Sequence, residues 1–160
     1  MSNNDLTFEQ VNLQNYEQLM RLDIICFQRP FSLSYYLKVG NAKEFIGFLA
    51  LLDEDVIGEI TIRFSEENGL KCGHVFSFGI LSKYRSKGYG SKLFKYVIDR
   101  LSEIANCRKI YLKVRVSNEI AQRIYRKNNF KILERIPKYY GDEDGYLMLF
   151  DRDATNETQI

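Results

Sequence analysis

The sequence predicts an α/β chain of the α+β type, with a single mixed, mostly antiparallel sheet of about seven strands flanked by about four helices. Three observations carry this. The strand-like runs 44–52, 56–65 and 71–81 follow one another with turn signals between them, as antiparallel neighbours do. A glycine loop, a helix and a further strand, 109–116, come next, and strand-helix-strand connectivity sets this strand parallel to the one before the helix. Two short strands close the chain.

In order, Leu6, Phe8 and Val11 outline a first strand. Asn12 is placed to cap a helix whose apolar positions Leu13, Tyr16, Leu19, Met20, Ile24 and Phe27 recur at helical spacing, with Arg29-Pro30 breaking it. Ser32 caps a second helix carrying Tyr35, Tyr36 and Val39, and Gly40 is placed to end it. Strands 44–52 and 56–65 are joined by Asp53-Glu54-Asp55. In the second, Val56, Gly58, Ile60, Ile62 and Phe64 share one face, and Ile57, Glu59, Thr61 and Arg63 the other. Asn68-Gly69 is a hairpin signal, so strand 71–81 runs back antiparallel. Gly79, near its end, marks a bulge or the close approach of a ligand.

Helix 88–105 buries Leu93, Phe94, Val97, Ile98 and Leu101, and strand 109–116 follows. Asn118 opens a helix with apolar face Ile120, Ala121, Ile124 and Tyr125, ending near Asn129, a residue type that tolerates the left-handed conformation. Strands 130–136 and 146–150 flank a loop rich in tyrosine, acid and glycine. Residues 1–150 read as one domain and 151–160 as a polar, frayed tail.

Composition narrows the function. The chain has 160 residues, 45% hydrophobic and 28% charged, with a net charge of +2, so neither global disorder nor a nucleic-acid partner is indicated. Cys26, Cys72 and Cys107 form no C-x-x-C pair, which argues against a disulfide framework or a zinc site, and no metal is expected. The longest apolar run, 45–52, is far too short to span a bilayer, and residues 1–10 are polar and acidic rather than a signal peptide. The expectation is a cytoplasmic protein with no membrane partner.

The most informative segment is 80–94, I-L-S-K-Y-R-S-K-G-Y-G-S-K-L-F. A strand that ends in a glycine loop and opens a helix presents unpaired N–H groups and a positive dipole end at one point, which suits phosphate. Arg85, Lys87 and Lys92 add charge, and Gly88 and Gly90 let an anion approach the backbone. Spacing excludes a Walker loop, since G-x-x-x-x-G-K-[ST] is absent. It also excludes a dinucleotide loop, which needs G-x-G-x-x-G/A after the first strand of a parallel sheet.

What remains is R-x-x-G-x-G, which resembles the pyrophosphate loop of the GNAT N-acetyltransferases. The order of elements resembles that family over essentially the whole chain. Residues 114–130 (V-R-V-S-N-E-I-A-Q-R-I-Y-R-K-N-N-F), 137–148 (P-K-Y-Y-G-D-E-D-G-Y-L-M) and 73–80 (G-H-V-F-S-F-G-I) are similar to the N-terminal protein acetyltransferases: the NatA-type catalytic subunit, its archaeal relatives and the ribosomal-protein-alanine acetyltransferases. The resemblance implies the GNAT fold and acetyl-CoA as co-substrate. It implies cofactor contacts from Phe78, Gly79, Ile80, Arg85, Ser86, Lys87, Gly88, Tyr89, Gly90, Ser91 and Asn118. It also implies a protein or peptide N-terminus as substrate, gripped by Arg29, Phe31 and Ser32 and by Tyr139 and Tyr140, with an auxiliary subunit or the ribosome as further partner.

Acetyl transfer needs a neutral amine and a proton for the leaving thiolate. An α-amine with a pKa of about 8 is easier to deprotonate than a lysine at about 10.4, by roughly 3 kcal/mol, so a mild base is enough. His74, the only histidine, fits such a base, or else is a strand residue hydrogen-bonded for structure. Glu59 acting through water is its rival. Many relatives carry a glutamate where this chain has Lys113, so the base stays open between His74, Glu59 and water. Tyr125, in N-x-x-A-x-x-x-Y, matches the family tyrosine that protonates the thiolate, whereas spacing alone makes it a core aromatic. Competing functions are acetylation of small amines or lysine side chains, and a non-catalytic acetyl-CoA-binding module.

Overall fold

A computed structural model describes residues 5–156. They fall into two compact units, 5–64 with 76–97, and 65–75 with 98–156.

In the first unit, β1 (Leu6–Gln10), β2 (Phe45–Leu52) and β3 (Asp55–Glu67) are antiparallel neighbours, with Phe8 opposite Ala50 and Phe48 opposite Ile60. The strand order continues to β4 (Leu70–Ile80). Every residue of β2 is buried, as its unbroken apolar run F-I-G-F-L-A-L-L demands. In β3, residues 57–62 are all buried, so the face carrying Glu59 and Thr61 is covered as fully as the other. Helices α1 (Tyr16–Phe27) and α2 (Leu33–Asn41) contribute Leu19, Tyr35, Tyr36 and Val39 to a core with Phe45, Leu49 and Leu51. Each large side chain buried there stabilises the fold by about 1.5–3 kcal/mol.

Three helix ends differ from the sequence reading. Asn12 does not cap α1: its Oδ1 accepts the N–H groups of Gln14 and Asn15, an Asx turn that holds the chain out of the helix until Tyr16. That helix stops at Gln28, which is left-handed (φ 62°), before Arg29-Pro30 is reached. Ser32 does cap α2, its Oγ accepting from the Tyr35 N–H at 3.2 Å, but the left-handed terminator is Ala42 (φ 54°) and Gly40 lies inside the helix. Gly40 is needed for proximity instead, because a Cβ there would stand 2.9 Å from Leu13 Cδ2.

In the second unit the order is β4, β5 (Lys109–Arg115), β7 (Gly145–Asp151), β6 (Lys131–Ile136), which makes seven strands among the described residues. Strand β5 is parallel to β4, with His74 opposite Tyr111, and antiparallel to β7. The β3–β4 turn has Asn68 and Gly69 both at positive φ (53° and 76°), the conformation that an Asn-Gly hairpin favours. Helix α3 (Tyr89–Ala105) follows the glycine loop, and α4 (Glu119–Lys127) is capped by Asn118, whose Oδ1 accepts the Ala121 N–H. Ile120 stands 71% exposed, and the buried face of α4 belongs to Gln122 and Tyr125. Asn129 is left-handed (φ 65°), as expected.

Residues 157–160 of the expected tail lie outside the described residues. Residues Arg152–Asn156 form a short helix, α5. Arg152 reaches Ile98 O and Asp99, and Arg108 pairs with Asp153 at 2.6 Å, so charge rather than apolar burial holds this end.

Candidate active site

The glycine loop belongs to the first unit. After Ile80 the chain makes a 3-10 turn, Ser82–Tyr84, and passes through Ser86 (φ 61°) and Gly88 (φ 86°) into α3. Lys92 N–H bonds to Gly88 O, joining the loop to the first turn of α3. Gly88 has open space around its Cα, Gly90 is buried, and Tyr89 and Ser91 are half-buried. Lys87 is exposed. Arg85 spends its Nε–H on Ile80 O at 2.8 Å, bracing the loop against the strand it leaves. Phe78 packs edge-on to Phe94 at 4.7 Å, tying the end of β4 to α3.

Gly79 has a reason within the protein. A Cβ there would lie 3.2 Å from Cys26 Sγ and 3.4 Å from Phe27 Cζ, so it is α1 that approaches the backbone here.

Beside this strand end lies a buried polar chain. Tyr35 Oη, Thr61 Oγ1, Ser77 Oγ and Glu59 Oε2 are linked in series at 2.7, 2.5 and 2.9 Å. Asp23 is also fully buried, accepting from Tyr36 Oη at 2.9 Å. Burial raises Asp23 to about 6, and burial together with the Asp23 charge holds Glu59 well above the usual carboxylate range. The Cys26 thiol is pushed up by burial and by the Glu59 charge. Sequence reasoning named Glu59 but missed Asp23, Thr61 and Ser77. Asp23 follows Leu19 at helical spacing, which was the available sign that it faces inward.

The first loop expected to meet substrate is aromatic. Phe31 contacts Tyr35 and Phe76 at ring distances of 5.0 and 5.3 Å, and Phe31 and Phe76 are both exposed. Arg29 is exposed, and Ser32 is committed to capping α2.

The remaining candidates lie in the second unit. His74 is exposed, stacked on Tyr111 at 5.1 Å, with its Nε2 bonded to Ser65 Oγ at 2.8 Å. Tyr125 is buried beside Phe130, and burial, then the Tyr140 charge, pushes its phenol well above its ordinary value, so it keeps its proton through neutral pH.

Tyr139 and Tyr140 sit edge to face at 4.9 Å, with Lys113 over the first ring and Arg115 over the second. Their loop is pinned: Arg115 bonds Asp142 and Glu143, Ser117 bonds Glu143, and Arg135 and the Lys138 N–H bond Asp144. Among the described residues no cluster of His, Cys, Asp or Glu could hold a metal ion, and no helix is long and apolar enough to cross a membrane.

The mixed seven-stranded α/β fold, with a strand, a glycine loop and a helix in succession, is the fold of the GNAT acetyltransferases. Residues 16–130 match the acetyltransferase (GNAT) family, and the chain belongs to it. It is 34% identical over 155 residues to an N-alpha-acetyltransferase of Saccharolobus solfataricus, covering 90% of this chain and 92% of the relative. Among solved structures it resembles Arabidopsis thaliana Naa50 in complex with the bisubstrate analogue CoA-Ac-MVNAL, with a TM-score of 0.75, 31% identity, and 90% and 97% of the two chains covered. Its fold also matches Arabidopsis thaliana NAA60 in complex with acetyl-CoA, with a TM-score of 0.79 at 22% identity over 93% of this chain and 99% of that one.

Proposed function

We propose that this chain transfers the acetyl group of acetyl-CoA directly to the α-amino group of a protein N-terminus. The observation that carries the reading is the 34% identity to a named N-alpha-acetyltransferase over nine tenths of both chains. The loop supports it chemically. Positive φ at Ser86 and Gly88 and the start of α3 offer backbone N–H groups, and Lys87 offers an unshielded cation, a donor set suited to a pyrophosphate. When bound, acetyl-CoA supplies the activated acyl group.

The chain's own residues do the rest. The loop holds the pyrophosphate. The Oδ1 atom of Asn118 caps α4, and its side-chain amide N–H groups are assigned to the pantetheine arm. The phenol of Tyr125, kept protonated by burial, donates to the departing thiolate. Phe31, Arg29 and the Tyr139–Tyr140 loop receive the first residues of the peptide. Among His74, Glu59 and water we assign Glu59 acting through water, since His74 is engaged with Ser65 and Tyr111. The three free cysteines suit a reducing cytosol.

The test is incubation with acetyl-CoA and an unbiased peptide pool, with mass spectrometry locating the acetyl group. Acetylation of peptide α-amines is expected. Modification confined to internal lysines, or to added polyamines, overturns the reading.

A further inference from the structure

The acids of the tyrosine loop are all committed, and one cation beside them is not. Arg115 bonds Asp142 and Glu143 at 2.9 and 3.0 Å, and Arg135 bonds Asp144 at 2.8 Å. Glu143 also accepts from the N–H and the hydroxyl of Ser117, and Asp144 from the Lys138 N–H. Arg115 for Asp142, Ser117 and then Arg115 for Glu143, and the Lys138 amide and then Arg135 for Asp144 hold these carboxyls below their usual range. The Lys138 charge acts on Asp144 as well.

Lys113 stands outside this network. Its ammonium lies over the Tyr139 ring, 4.8 Å from the centroid, and among the described residues it forms no ion pair and donates to no oxygen. The cause is its place in β5. Alternation puts Tyr111, Lys113 and Arg115 on one face of the strand, while Ile110, Leu112 and Val114 are buried on the other. Across the sheet Lys113 meets Leu147, and the acid next in that row, Glu134, is one strand further on. Neighbouring strands lie about 4.8 Å apart, so the backbone of Glu134 is about 10 Å away and the lysine rests on Tyr139 instead.

A ring face steadies an ammonium without neutralising it. The N–H donors that the ring does not cover are open to solvent and to whatever the loop receives. Lys113 and Tyr139 are both exposed. With Asp142, Glu143 and Asp144 already paired, the counter-charge left for Lys113 is one that a ligand brings.

We infer that Lys113, held over Tyr139, selects peptides that carry Asp or Glu among their first residues, by pairing its ammonium with that carboxylate. This rests on the acetyltransferase reading above and on its placing of the peptide at the Tyr139–Tyr140 loop. A peptide with Lys or Arg at the same position meets a like charge and is disfavoured. The pairing is made on binding and involves no proton transfer, so it acts on the KM for peptide rather than on kcat.

The test is a set of peptides of one neutral sequence in which Glu, Gln or Lys occupies each of the first few positions in turn. Anisotropy of the labelled peptides in the presence of coenzyme A reads binding, and steady-state kinetics reads turnover. At one position Glu should bind roughly threefold or more tighter than Gln at low ionic strength and lower the KM by the same factor, with Lys the weakest and the differences shrinking in about 0.5 M salt. Lys113→Gln should bring the Glu-to-Gln ratio to about one, and Lys113→Glu should invert it in favour of Lys.

Equal binding of the Glu and Gln peptides, or no peptide binding at all, overturns the inference. So does a preference for Glu that survives Lys113→Gln, which would belong to the long-range field of other cations. A wild type that acetylates no α-amine defeats the functional reading instead, with the binding ratios still deciding the role of Lys113.

Discussion

Cys26 Sγ stands 3.2 Å from the place a Cβ on Gly79 would occupy, and Cys26 Cβ stands 3.3 Å from it. Helix α1 is thus seated against the end of β4 at a spacing that tolerates hydrogen and little more. Gly79→Ala should force the two apart at a cost of about 1–3 kcal/mol. Thermal unfolding would read this as a fall of roughly 2–10 °C. Adding Cys26→Ala to the variant removes the sulfur and should restore part of the loss. An unchanged midpoint for Gly79→Ala would mean that α1 gives way freely there.

The buried acids make stability depend on pH in a stated direction. Asp23 rises from 3.8 to about 6 on folding and Glu59 rises with it, so the folded state binds protons that the unfolded state has released. Their contribution is fully present below about pH 4 and is lost as pH rises, that of Asp23 through about 6. For Asp23 alone the loss is at most about 3 kcal/mol. Asn keeps an acceptor for Tyr36 and cannot ionise, so Asp23→Asn should be more stable than the wild type at pH 7.5 and lose that advantage by pH 4. Urea unfolding of both proteins across this range measures the difference, and parallel curves would refute the assignment.

The strands were readable because their apolar runs and the Asn68-Gly69 turn are local signals. Helix ends were less so. Asn12 has the chemistry of a cap, yet its side chain satisfied the nearer amides of Gln14 and Asn15, and Gly40 has the look of a terminator but answers to Leu13, a contact made only after α2 packs. In the site, Arg85 to Ser91 was legible as contiguous chemistry, while the series Tyr35, Thr61, Ser77 and Glu59 draws on three elements and leaves no motif. Register and packing bring it together.

Tyr125 is deep enough that its hydroxyl carries more meaning than its ring. Phe130 and the rest of its surroundings hold the ring, and Tyr125→Phe preserves that packing. The variant should keep its fold and its affinity for acetyl-CoA while kcat falls at least tenfold, as expected for loss of a proton donor. Cofactor titration, thermal unfolding and steady-state kinetics together check it. Full turnover would leave Tyr125 as a core aromatic.

Tyr139 offers the opposite balance. It is 45% exposed, and its loop is held by the bonds of Arg115, Ser117 and Arg135 to Asp142, Glu143 and Asp144 rather than by its own ring. Tyr139→Ala should therefore leave stability within about 0.5 kcal/mol. What it removes is an aromatic surface with Lys113 lying across it, 4.8 Å from the ring centroid. If that surface receives the peptide, the KM for peptide rises several-fold while the KM for acetyl-CoA stays near its original value. Arg115→Ala should be broader in effect, since it frees Asp142, Glu143 and the face of Tyr140 together and loosens the whole loop. A larger change in the KM for acetyl-CoA than for peptide in Tyr139→Ala would assign the loop to the cofactor instead.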